Sequence, residues 1–567
     1  MRPVVCSTAA LTALVLLAGC TGDPEPAAGA SGESPAGQPA ALQPATTEPA
    51  ARQTLVADAD PVAAAVSTSR ALFQSSPVVV LAPAGDPAAQ LLGASAAVGL
   101  GVPLLLDGGA GTAATLDPEL ARLGTATVLG IGGAAAEGVD LRAVPADAAA
   151  VGTVTGLALA PADPVAADGQ VAAVAALDPA SPAALEPAAG EPAGGAAATS
   201  SSAPSSASSA PGAALPEPLP EVTRPPALGG TVVVASGSPD GLAAVATARA
   251  AGADVQVIGG TDPRASGELV DRLAADPAVV VLGADLAAEP GLDWKLATAA
   301  AGTQLPGGGQ LLFPEHMLVA LYGIPGSASL GLLGEQDLPG SIRRAQQLAD
   351  EYRPLVDTTV VPTFEIIATV ASSSAGADGD YSAEQDVETL RPWVEAAGAA
   401  GMYVVLDLQP GRSDFLSQAQ LYQPLLELPF VGLALDPEWR LEPGGLPLQK
   451  IGQVGIDEVN TVVTWLADLT REKALPQKLL VLHQFQVRMV VDRERLDVSR
   501  DELAIMVHVD GQGGQSAKQD TWRVLHQGAQ EELSWGWKNF IDEDLPMLTP
   551  GQTVEQVLPT PELVTYQ

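Results

Sequence analysis

Cysteine is nearly absent. Cys6 and Cys20 are the two in 567 residues, and both fall in the first twenty. A chain with cysteines so placed is no disulfide-stapled scaffold, so its domains must hold together on apolar cores. Aromatic residues make up 4% of the chain; no lysine precedes Lys295, and all four histidines and all seven tryptophans lie from Trp294 onward. The N-terminal half therefore lacks lysine, imidazole and indole, and the chemically richer half is the C-terminal one. Positive charge is scarce throughout: 27 Lys and Arg stand against 66 Asp and Glu, a net charge of −39. Such a surface repels polyanions, which excludes nucleic acid and an anionic bilayer face as partners of the folded protein. The length leaves room for about two to four domains.

The opening, MRPVVCSTAALTALVLLAGC, places Arg2 before an apolar run over 9–17 and small residues before a cysteine. This is the pattern of a secretory signal, and it is too short to span a bilayer. Its Leu17-Ala18-Gly19-Cys20 ending resembles the lipobox of bacterial lipoproteins. That resemblance implies a signal peptide over 1–19, lipidation of Cys20, and anchorage on the extracytoplasmic face of the membrane. Residues 20–55, rich in Ala, Pro, Gly, Ser, Thr and Glu, predict a disordered tether; 184–222 predict a second, Ser/Ala/Pro-rich linker.

Two similar stretches flank that linker, over 56–183 and 223–305. The first contains PVVVLAPAGDPAAQLLGASAAVGLGVPLLLDGG and ATVLGIGG; the second contains TVVVASGSPDGLAAVATARAAGADVQVIGG and AVVVLGADL. Continuous apolar strands alternating with small-residue helices predict small α/β units on parallel sheets. The glycine-rich turns match neither dinucleotide nor Walker patterns and have no lysine nearby, so no nucleotide cofactor is expected. Pro103-Leu104-Leu105-Leu106 with Ile131-Gly132-Gly133, and Pro239-Asp240-Gly241-Leu242 with Ile258-Gly259-Gly260, resemble the cell-wall-binding repeat 2 modules of Gram-positive surface proteins. The resemblance implies binding to a cell-wall polymer. An aromatic that precedes Pro-Asp in the family is missing here, its places taken by Asp86 and Ser238.

From 306 to 567 eight strand-like runs recur, at 316–323, 358–370, 401–411, 430–439, 478–485, 503–514, 534–544 and 562–567. Helical patterns separate most of them, and this arithmetic predicts a (β/α)8 TIM-like barrel. In general style the region resembles glycoside-hydrolase-like barrels of wall-associated proteins. The expected fold is thus α/β throughout, small parallel-sheet repeats followed by a barrel.

Polar residues gather where that fold carries chemistry, at the C-terminal ends of strands. Period-two alternation puts Asp407, Asp436 with Glu438, and His508 with Asp510 on common faces. Two carboxyls across a sugar-sized cleft can divide acid and base or nucleophile roles. Asp407 and Glu438 are the leading pair, with Asp436 and Asp510 in support. Glu365, Trp439, His483, Gln484, His508, Trp535, Trp537, Lys538 and Tyr566 are candidate substrate contacts, the tryptophans as stacking faces for sugar rings. Glu365 is alternatively a buried core acid paired with Lys538. His316 and His526 are expected to be solvent-facing or capping. A metal held by Asp407, Asp436, His508 and Asp510 is an alternative that no compact ligand motif supports. A glycan-hydrolysing barrel and a non-catalytic envelope-binding or assembly protein both remain open.

Overall fold

A computed structural model describes residues 41–109, 111–188 and 215–567. The signal segment, Cys20 and most of the 184–222 linker lie outside the described residues. Among the described residues no helix is long and apolar enough to cross a membrane.

The N-terminal half builds two four-stranded, wholly parallel sheets. Their strands are β1 (Gln53–Val56), β2 (Val78–Pro83), β3 (Leu104–Asp107), β4 (Thr127–Ile131), β5 (Asp140–Val144), β6 (Thr231–Ser236), β7 (Asp254–Ile258) and β8 (Ala278–Leu282). One sheet is ordered β3-β2-β4-β5 and the other β7-β6-β8-β1. Helix α1 (Pro61–Leu72) connects β1 to the first sheet. Helix α2 (Pro87–Leu100) begins where Asp86 accepts hydrogen bonds from the Ala88 and Ala89 amides, with Pro87 pre-set for the first turn. It ends at Gly101, whose φ of 73° suits the left-handed cap.

Two features depart from the compositional expectation. β1 lies in the stretch assigned to the tether, yet it pairs with β8 as the fourth strand of the second sheet. The two α/β regions also share one core, in which Val56, Leu81, Leu106, Val245 and Val280 belong to a single buried cluster. Small side chains allow this closeness. Helix α3 (Leu242–Ala250) reaches the edge strand β3, where Thr247 Oγ1 donates to the Leu104 carbonyl (2.9 Å) and accepts from its amide (3.1 Å). A threonine of the second region thereby completes the hydrogen bonding of the first sheet's edge.

The C-terminal half is a closed barrel of eight parallel strands: β9 (His316–Gly323), β10 (Thr359–Ala371), β11 (Tyr403–Leu408), β12 (Val431–Leu435), β13 (Lys478–His483), β14 (Leu503–Val509), β15 (Ser534–Asn539) and β16 (Leu563–Tyr566). Each pairs with its successor, and β16 returns to β9. Outside lie α4 (Leu338–Tyr352), α5 (Val387–Ala399), α6 (Phe415–Leu421), α7 (Ile456–Glu472), α8 (Gln515–His526) and α9 (Pro550–Gln556). The β13–β14 connection is built from short turns, Val487–Met489 and Arg493–Arg495, in place of a helix. This is the TIM-like architecture that the strand spacing predicts.

Alternation sorts each strand into two faces. Leu318, Ala320, Val361, Tyr403, Val405, Leu479, Val481, Met506 and Leu563 fill the lower lumen. Their neighbours, such as Val319, Phe364, Val404, Leu480, Val507 and Trp537, pack outward into the helix layer. The α/β half is fixed to the N-terminal end of the barrel. Trp294 is stacked between the guanidinium groups of Arg264 (4.5 Å) and Arg471 (4.6 Å), and Lys295 Nζ lies 2.6 Å from Asp501. The C-terminal mouth stays clear of that contact.

Replacing Thr247 with Val removes two hydrogen bonds at constant shape and strands the Leu104 amide and carbonyl. It is expected to cost about 1–3 kcal/mol, read from the urea midpoint. Because the core is shared, both sheets should lose structure in one transition, as followed by hydrogen exchange at β3 and β6.

Candidate functional site

All eight barrel strands deliver a polar side chain to the upper lumen: Tyr322, Glu365, Asp407, Asp436 just beyond β12, His483, His508 with Asp510, Lys538 and Thr565. Every one of them is buried. Register explains the gathering. Tyr322 pairs with Glu365, His483 with His508, and Lys538 with Thr565, so inward faces coincide around the ring. The strand opposite His508 carries Gly536 at the facing position, where a Cβ would sit 2.3 Å from the imidazole Cδ2. Glycine is required there because the ring of His508 occupies that space.

His483 is the centre of the cluster. Its Nδ1 donates to Asp510 Oδ2 and its Nε2 to Glu365 Oε1, both at 2.8 Å. With a carboxylate on each nitrogen the ring is held as the doubly protonated imidazolium. Burial opposes that charge, but Glu365 and Asp407 outweigh it and raise the imidazole well above its usual range. Burial alone would also raise Glu365, yet the charge of His483 and their hydrogen bond bring it down to about 2. Asp510 is lowered in the same way, chiefly by its hydrogen bond to His483 overcoming burial. Thr565 Oγ1 donates to the other oxygen of Glu365 at 2.8 Å. The partner of Glu365 is therefore His483, and the direct pairing with Lys538 that sequence offered as one alternative is not the contact formed.

The remaining carboxyls are poorly compensated. Asp407 accepts from the Tyr322 hydroxyl at 2.8 Å, while its Oδ1, 3.9 Å from His483 Nε2, has no hydrogen-bond partner among the described residues. Burial raises Asp407, and burial with the Asp407 charge raises Asp436. Glu438 is pushed up to about 7, first by burial and then by the charge of Asp510. His508 goes the other way, down to about 3, because burial disfavours its charged form.

Above this cluster opens a cavity of ≈ 610 Å³, a size suited to a small molecule or a short sugar chain. Asp436, Glu438, Asp510 and Lys538 line it, with Tyr322, Gln409, Trp439, Phe485 and Phe540. Of the leading pair, Glu438 faces the cavity; Asp407 sits beneath it and contacts Tyr322. Trp535, Trp537 and Tyr566 do not line it. Adjacent residues in a strand face opposite ways, so inward Gly536, Lys538 and Thr565 put these three aromatics outward. Trp535 and Trp537 pack on Trp522 of α8, and the Tyr566 hydroxyl bonds that of Tyr352 on α4. Gln484 is buried and organises the following turn through the Gln486 and Val487 carbonyls and Arg493. His316 is buried, with Nδ1 on the Leu312 carbonyl, so it does not face solvent; His526 stacks on Trp535 at 3.5 Å and sets Nδ1 on the Trp522 carbonyl in the last turn of α8, the capping role that sequence offered as one alternative.

Thr565 and Gln409 carry site geometry that sequence left without a role, whereas Tyr322 is legible as an aromatic closing the first barrel strand at the mouth. Counting two residues forward from the inward Leu563 is the signal that would have found Thr565. The buried ligand-type cluster that the structure brings together in the barrel is Glu365, His483 and His508, a different set from the Asp407, Asp436, His508 and Asp510 grouping.

Replacing His483 with Gln leaves Glu365 and Asp510 buried without their counter-ion. The expected loss is about 3–5 kcal/mol of unfolding free energy, read by urea denaturation at pH 7. A loss near zero would show that the two ion pairs do not hold the barrel. No protein-family model and no curated protein matches the chain.

Proposed function

We propose that this chain is a lipid-anchored envelope protein whose barrel hydrolyses a glycan by acid–base chemistry at its C-terminal mouth. The observation that carries the proposal is the pairing, on the wall of one cavity, of two carboxyls in opposite settings. Glu438 sits where burial and a neighbouring charge favour its protonated form near neutrality. Asp510 is gripped by His483 through Oδ2 and has no partner on Oδ1 among the described residues. Two carboxyls in contrasting environments are the arrangement that glycoside hydrolysis uses.

In this mechanism Glu438 gives its proton to the departing glycosidic oxygen as the bond to the anomeric carbon breaks. Asp510 either attacks from the other face, giving a glycosyl ester that water then hydrolyses as the now ionised Glu438 takes its proton, or draws the proton from a water that attacks directly. Trp439 offers a flat face to a sugar ring, and Lys538 and Gln409 offer donors to hydroxyls. Asp407 acts behind Tyr322, fixing the hydroxyl that meets the substrate. The lipobox-like ending at Cys20 supports anchorage, and the repeat-like α/β half supports attachment to a wall polymer. An envelope-binding protein without turnover is the second possibility, and the same experiment decides between them.

Glu438→Gln should abolish release of reducing ends from the wall or capsule glycan that the wild-type chain cleaves, with a melting temperature within a few degrees. Since the acid must carry its proton, kcat/KM should fall as pH rises through about 7, the value to which Glu438 is pushed. Glycan retained by wild-type protein but never cut would overturn the hydrolase assignment in favour of binding. Cys20→Ser should move the protein from the membrane fraction to the soluble one.

A further inference from the structure

Beneath the cavity floor lies a group of side chains that meets the catalytic pair only through the His483–Asp510 hydrogen bond. Ligand atoms of Glu365, His483 and His508 lie within 4.8 Å of one another, all on fully buried side chains. Both ring nitrogens of His508 lack hydrogen-bond partners among the described residues, as does Asp407 Oδ1. Leaving buried polar atoms unpaired forfeits their hydration with nothing in return. A neutral imidazole with two orphaned nitrogens is therefore a poor choice for a purely structural position. Isosteric apolar side chains would fit the same space without that cost.

We propose that Glu365, His483 and His508 form a binding site for a divalent transition metal, zinc foremost, with Asp407 Oδ1 as a further oxygen beside it. Two imidazoles and a carboxylate are a donor set that catalytic zinc sites use, whereas magnesium and calcium prefer oxygen alone. Binding requires a small adjustment of the ligand atoms. Ligands about 2.0–2.2 Å from a tetrahedral ion stand roughly 3.3–3.5 Å apart. His483 Nε2 is 2.8 Å from Glu365 Oε1 and 3.9 Å from Asp407 Oδ1, on either side of that spacing. The His508 ring meets that of His483 edge-on, with centroids 4.9 Å apart. The surroundings are those of a metal-bound histidine: Nδ1 of His483 is held by Asp510, the carboxylate–histidine arrangement that fixes ring orientation. On binding, the Nε2 proton of His483 is released to solvent and a nitrogen–metal bond takes its place, while Glu365 exchanges that hydrogen bond for a metal–oxygen bond.

The site goes beyond the hydrolase proposal and stands independently of it, because it is read by metal content. The full chain carrying Cys6→Ser and Cys20→Ser, so that no thiol competes, is stripped with a chelator and dialysed against Zn(II). One zinc per chain by plasma emission is expected. His508→Gln should abolish that retention, and Glu438→Gln should preserve it. Asp510→Asn should weaken binding about 10–100-fold. Co(II) loaded into the stripped parent chain should give visible bands of a low-coordinate, nitrogen-ligated ion. Failure of the parent to hold zinc, retention undiminished in His508→Gln, or a Co(II) spectrum of the hexa-aqua ion would each overturn the proposal. The Co(II) measurement needs no variant to fold.

Discussion

One imidazole spans the lumen of the barrel, and the chemistry of the upper layer depends on it. His483 reaches from β13 across to Glu365 on β10 and along the wall to Asp510 beyond β14, while Glu365 is tied through Thr565 to β16. Strands far apart around the ring are thereby joined through side chains as well as through the ladder. The lumen is otherwise oversupplied with acid. Glu365, Asp407, Asp436, Glu438 and Asp510 share it with His483 and Lys538. Because His483 engages two of the five, those two are stabilised as anions and the rest are left under-compensated. The contrast between Glu438 and Asp510 therefore follows from where a single cation sits.

The vertical division of the barrel follows from the same alternation that built it. Lower inward positions carry Leu, Val, Ala and Met and make a dry plug; upper ones carry ionisable groups. A packed floor denies water a second route to the buried charges, so their electrostatic coupling is exerted through a low-dielectric medium. Attachment of the α/β half at the floor end leaves the ionisable end open.

Much of this was legible. Apolar runs at 316–323 and 478–485 gave strands within two residues of those observed, because long β-branched segments between turn signals have few alternative fates. Same-face pairing of His508 with Asp510 also held. Phase was what failed at β15 and β16. Trp537 and Lys538 are neighbours in sequence and were both assigned to the mouth, although a strand can send only one of them inward. The preference for aromatic chemistry over parity hid Thr565 behind Tyr566. Long-range partners were beyond reach for another reason: His483 could meet Glu365, 118 positions away, only once the barrel had closed. Composition likewise could not show that 53–56 pair with 279–282, since four residues next to a Pro/Ala-rich stretch carry no mark of their distant partner.

That pairing changes what the chain between the two sheets is for. The second sheet begins with β1 and resumes at β6, so the whole first sheet is inserted between strands of the second. The chain between β5 and β6 lies within this insertion, and the core on its two sides is one. A single proteolytic cut there would break the backbone without separating the molecule: both fragments would stay interleaved, each supplying strands or helices the other cannot replace. Covalent continuity at that point is redundant once folding is complete, and the α/β half would behave under such a cut as a non-covalent complex of its own two pieces.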